Sequence, residues 1–139
     1  MKTTKTTNFK RLPGFTLTEL LVVLVIIGIL VLLALPKLMP LISRAKSTEA
    51  QIALGTVFNL EKKFFYMKSK YSSNLEDIDF EQEKLATENG NANYRIEIIE
   101  ASATTFKARA TAVVDFNGNG KFNVWEIDQE KNLVEVTKD

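Results

Sequence analysis

Two sets of residues have the types and spacing to do chemistry. The first is Glu19, the lone acid in "GFTLTELLVVLVIIGILVLLAL", which begins at Gly14. An ionised side chain is costly in hydrocarbon, so an acid there needs a partner and a purpose. The second is "DFNGNGKFNVWE". It fits the calcium-loop pattern D-x-[DN]-x-[DN]-G-x5-E in full, through Asp115, Asn117, Asn119, Gly120 and Glu126. Oxygen side chains at alternate positions would wrap one side of Ca²⁺. Gly120 permits the sharp turn, Lys121 offers its carbonyl, and Glu126 closes the site, with Asp128 as substitute if Glu126 faces away. Affinity would be weak, on the order of 10⁻⁴–10⁻³ M, as in extracellular modules. The competing reading is a metal-free hairpin turn. The flanks read as strands, two ligands are neutral Asn, and Gly-Asn-Gly clusters turn unaided.

Other chemistries lack their residues. The chain has no His and no Cys, which removes the commonest general base and zinc ligand and any disulfide. No G-x-S-x-G is present, and "GNGKF" lacks the spacing of a phosphate loop. The chain is read as no enzyme. A net charge of +1 gives no sign of nucleic-acid binding.

From Leu20 to Pro36 no residue is charged. As a helix that run rises about 25 Å at 1.5 Å per residue. It falls a little short of a hydrocarbon core of about 30 Å, and "FTLTE" extends it. Lys2, Lys5, Lys10 and Arg11 precede it, with no acid before Glu19. By the positive-inside rule the N-terminus is cytoplasmic and the remainder exported. A buried core helix would not need the basic leader. An ordinary signal peptide has a shorter apolar core and an A-x-A-like site, which "LPKLMPLIS" lacks. A plain signal anchor fits length and charge but leaves Glu19 and Gly14-Phe15 unexplained.

"RLPGFTLTELLVV" resembles the class III signal peptide of type IV pilins and of the pseudopilins of type II secretion. A basic leader, Gly14, the aromatic Phe15, Glu19 four residues on and an apolar helix all match. The resemblance implies that prepilin peptidase cuts between Gly14 and Phe15 and that Phe15 is then N-methylated. The new Phe15 amine would be the partner of Glu19, on a neighbouring subunit or on its own chain. It implies a structural subunit, waiting in the inner membrane and polymerising through its helix into a homo-oligomeric filament. An inner-membrane platform protein and an assembly ATPase are implied partners. The filament would be an extracellular type IV pilus, or a periplasmic pseudopilus for secretion or DNA uptake. An uncleaved membrane-anchored calcium-binding module is the alternative of another class. Gly28, Pro36 and Pro40 are expected helix breaks, since glycine weakens and proline interrupts helical hydrogen bonding. The family likeness implies that the helix loosens there on assembly.

Beyond Ser43 the chain turns amphipathic. Ala50, Ala53, Leu54, Val57, Phe58, Phe64 and Phe65 recur at three- and four-residue spacing. A helix is predicted to about Lys68, with Arg44, Lys46, Glu49, Gln51, Glu61 and Lys62 on its polar face. Phe64, Phe65, Tyr66 and Tyr71 are read as core rather than as an electron path. The acidic stretch with Glu76, Asp77, Asp79, Glu81, Glu83 and Glu88 reads as a solvated connection, and in pilins this is the variable loop. Alternation in "NYRIEIIE" and "TTFKARATAVV", then "KFNVWEID" and "KNLVEVT", predicts four strands in an antiparallel meander. The fold class is therefore α+β: a long N-terminal transmembrane and amphipathic helix packed by a C-terminal antiparallel sheet, the pilin lollipop. The parts are a leader at 1–14, an apolar helix at 15–41 and an exported head at 42–139.

Overall fold

The computed structural model describes residues 13–139. The basic residues Lys2, Lys5, Lys10 and Arg11, and most of the expected leader, lie outside the described residues. Helix α1 runs Leu17–Lys68, followed by short 3₁₀ turns at Glu76–Ile78 and Ala86–Glu88. Four strands follow: β1 (Tyr94–Ala101), β2 (Phe106–Ala112), β3 (Val124–Asp128) and β4 (Leu133–Thr137). They form one antiparallel sheet in the order β1-β2-β3-β4. The architecture is α+β, as expected. The chain divides into two compact units between Pro36 and Lys37.

In the first unit, the apolar part of α1 is long and apolar enough to cross a membrane. Contrary to expectation, α1 is unbroken through Gly28, Pro36 and Pro40. Each proline removes one amide donor, leaving the carbonyls of Leu32 and Pro36 without their usual partners. The bonds on either side hold the helix together.

In the second unit, Ala50, Leu54 and Val57 of α1 are fully buried, with Ala53, Phe58, Phe64 and Phe65 packed around them. They meet the alternate residues of the sheet: Tyr94, Ile96, Phe106, Ala108, Ala110 and Ile127. Tyr71 stacks on Phe65 with centroids 4.8 Å apart and leans on Phe106 at 4.9 Å. Tyr66, expected in the core, is 83% exposed on the opposite side of the helix.

Glu61 corrects the polar-face reading. It continues the stripe of positions 50, 54 and 57 and is fully buried. Its Oε2 accepts the Ser72 amide at 3.0 Å, while Oε1 has no partner. Burial, and next to it the opposing Ser72 bond and the reinforcing charge of Asp77, leave its carboxyl above the ordinary carboxylate range. The protonated form is therefore favoured by folding. That contribution is full below the unfolded value near 4.5 and fades as pH rises through the folded one.

The acidic connection is pinned rather than loose. Ile78 and Leu85 are buried, and the Gln82 side chain accepts the Ile96 amide and donates to the Tyr94 carbonyl. Gly90 sits so close to Lys84 that a Cβ would lie 1.9 Å from its carbonyl oxygen. Strand β3 starts later than the pattern suggests, because Asn123 is spent on a buried polar network. Its Oδ1 accepts from the Tyr94 hydroxyl at 2.7 Å and from Ser47 at 3.4 Å, and its Nδ2 donates to Glu135 and the Thr137 carbonyl. Burial pushes the Tyr94 hydroxyl up to about 12, so it remains a donor.

Candidate functional site

The helix start answers the question of Glu19. A helix leaves its first amides without internal partners, and in lipid no water replaces them. Residues 13–16 are non-helical and α1 opens at Leu17. Thr16 and Glu19 form a reciprocal capping box. The Thr16 amide and hydroxyl both donate to Glu19 Oε2 at 2.8 Å, and the Glu19 amide donates back to Thr16 Oγ1 at 3.2 Å. The partner in the uncut chain is thus Thr16, three residues upstream. The T-x-x-E spacing was present in the sequence as a signal for it.

Only Oε2 is engaged in those bonds, so Oε1 is available to a further donor among the described residues. Phe15 is 91% exposed, and a Cβ on Gly14 would meet nothing within 4 Å. The Gly14-Phe15 bond therefore lies in open, non-helical chain just ahead of the cap. Cutting it would place an amine one residue from the group that Glu19 already holds.

The Asp115 loop is different from its expected form. Asp115 Oδ1 accepts the amides of Asn117, Gly118 and Asn119, and Oδ2 accepts that of Gly120 at 2.7 Å. Asn117 and Asn119 cap the amides of Asn119 and Lys121. Gly118 and Gly120 have φ of 77° and 80°, where a side chain would be strained. The Gly120 amide foremost, then, against the opposing effect of burial, those of Gly118, Asn117 and Asn119 hold the Asp115 carboxyl below its ordinary value.

Glu126 does not close this loop. It lies across from Arg109 in the β2–β3 ladder, and its Oε1 takes both Nε at 2.8 Å and Nη2 at 2.6 Å. Asp128 does not substitute, because it accepts the Glu130 and Asn132 amides and the Asn132 side chain in the β3–β4 turn. No group of three or more His, Cys, Asp or Glu is gathered for a metal among the described residues. Calcium asks for six to eight oxygens, and the loop itself offers the side chains of Asp115, Asn117 and Asn119 and its backbone carbonyls. We expect Asp115→Ala to lower the thermal midpoint equally in calcium and in chelator. A loss confined to calcium would restore the metal reading.

Residues 13–35 match the family described as "Prokaryotic N-terminal methylation motif". The chain is also similar to the "Type IV major pilin protein PilA" of Myxococcus xanthus (strain DK1622), 39% identical over 84 residues. The match covers 60% of this chain and 36% of that protein, so the chain spans little more than a third of its relative's length. The methylation motif thus lies over the capped helix start with an apolar helix behind it, and the chain is similar there to a type IV major pilin.

Proposed function

We propose that the chain is a structural subunit of a type IV pilus filament. Prepilin peptidase cuts it between Gly14 and Phe15 and methylates the Phe15 amine. Before assembly it rests in the inner membrane with its N-terminus cytoplasmic. It then polymerises through α1, driven by an assembly ATPase and an inner-membrane platform protein. The observation that carries this reading is the exposed Gly14-Phe15 bond lying directly before the Thr16–Glu19 cap. The cap satisfies Glu19 before cutting and leaves one oxygen for an amine afterwards. Similarity to a type IV major pilin favours the pilus over the pseudopilus.

Intact-mass spectrometry of protein sheared from cells tests the proposal. The expected chain begins at Phe15 and is one methyl group heavier than its sequence. A chain beginning at Met1 and found only in membranes would leave an uncleaved anchor instead.

A further inference from the structure

Two surfaces on the second unit are complementary and far apart on one molecule. The first is a groove of about 560 Å³ between the outer side of α1 and the segment 80–83. Its floor includes Ile52, Ala53 and Phe80, and its lips carry Glu81 and Glu83. Ile52 is 66% exposed, an unusual position for a large aliphatic side chain beside a half-formed wall. Of the six acids from Glu76 to Glu88, Glu81 and Glu83 line this groove, whereas Asp77 is turned away to Ser72 and Asn74.

The second surface is the end of α1 and the residues just past it. Lys63, Lys68 and Lys70 stand there with no acid between positions 62 and 75, while Lys62 donates to the Tyr71 hydroxyl at 3.0 Å over the Phe58 and Tyr71 rings. Tyr66 and Met67, 83% and 62% exposed, lie between them. None of those lysines is in an ion pair among the described residues. Tyr66 lies 14 positions beyond Ile52, about 21 Å along the helix. The basic end therefore does not reach the acidic groove of its own copy.

We infer that the groove of one copy receives the Tyr66–Met67 end of a second copy, with the lysines against Glu81 and Glu83. The contact joins unlike surfaces, so it is head-to-tail and repeats along an open assembly rather than closing a two-fold dimer. Apolar area at Ile52, Tyr66 and Met67 supplies attraction, and the charges set the partner's orientation and its sensitivity to salt. The inference deepens the filament reading and rests on it.

The chain has no Cys, so introduced thiols report one contact. Ile52→Cys and Tyr66→Cys are made singly and together in the full chain, and cells are oxidised with copper phenanthroline. Both sites are exposed, so folding is preserved. The expected result is a ladder of covalent multimers from the double variant only, with at most dimers from either single. Glu81→Lys with Glu83→Lys should abolish the ladder, and adding Lys68→Glu with Lys70→Glu should restore it. Filaments present without a ladder would overturn the inference and assign the groove to another occupant. A ladder in membranes without filaments would uphold the contact and remove the filament reading. Absence of both would remove both.

Discussion

Glu19→Ala is expected to insert in the membrane as well as the parent chain and yet to give almost no surface filaments. Removing the acid makes the apolar segment more apolar, so insertion should not suffer. On the proposed reading, what is lost is the acceptor that Oε1 would offer to the Phe15 amine freed by cutting. Opposite charges in a poorly solvated place attract strongly, and an amine left alone there is costly. Thr16→Val separates the two jobs of the site. It removes the hydroxyl of the cap but keeps the Thr16 amide as a donor to Glu19. Loss of a cap hydroxyl costs about 1 kcal/mol in other helices. Thr16→Val should therefore assemble, at reduced yield, where Glu19→Ala does not. Membrane fractionation, intact mass and electron microscopy of sheared material read the three quantities. Normal filaments from Glu19→Ala would mean that Thr16 is the whole account of Glu19.

Phe106→Ala has the largest expected effect on the second unit, about 3–5 kcal/mol of stability. Phe106 is fully buried on β2 and touches Phe58 and Tyr71 with centroids 6.2 Å and 4.9 Å away. Tyr71 in turn stacks on Phe65, so one ring joins the helix, the connection and the sheet. Truncation leaves a cavity that rigid neighbours on three sides fill poorly. With small domains stable by about 5–15 kcal/mol and no disulfide present, that is a large share. Tyr66→Ala is the control, since that exposed ring should change stability by less than about 0.5 kcal/mol. Urea titration of the purified full chain in detergent compares them. A loss below 1 kcal/mol for Phe106→Ala would contradict the assigned core.

Much of this architecture was legible because single elements carry strong periodic signals. The stripe at Ala50, Leu54 and Val57 named the buried side of α1, and alternation from Phe106 to Ala112 named a strand. The end of α1 at Lys68 was also readable, and there Ser69 adopts a left-handed φ of 57° while its amide bonds the Phe65 carbonyl. The misreadings have two causes. Glu61 was placed by residue type, although its spacing put it on the buried stripe. Glu126 was placed by loop motif, although strand register set it opposite Arg109. Asn123 looked like strand, yet its side chain serves Tyr94 and Glu135 from different elements. Contacts between residues distant in sequence decided the cases of Glu126 and Asn123, and no local window contains them, whereas the place of Glu61 on the stripe was a local signal. Thr16 belongs with Glu61, because its T-x-x-E box spans only four residues and lies wholly within one local window.

The unbroken passage of α1 through Pro36 and Pro40 has a mechanical consequence. Two missing amides about one turn apart leave that stretch with fewer rungs per length than the helix on either side. Under tension along the axis, yielding begins where the ladder is thinnest. A residue passing from helical to extended backbone lengthens the chain from about 1.5 Å to about 3.3 Å. A rod built from many such helices would lengthen at this level before its heads unfold, and would shorten again when the load is released.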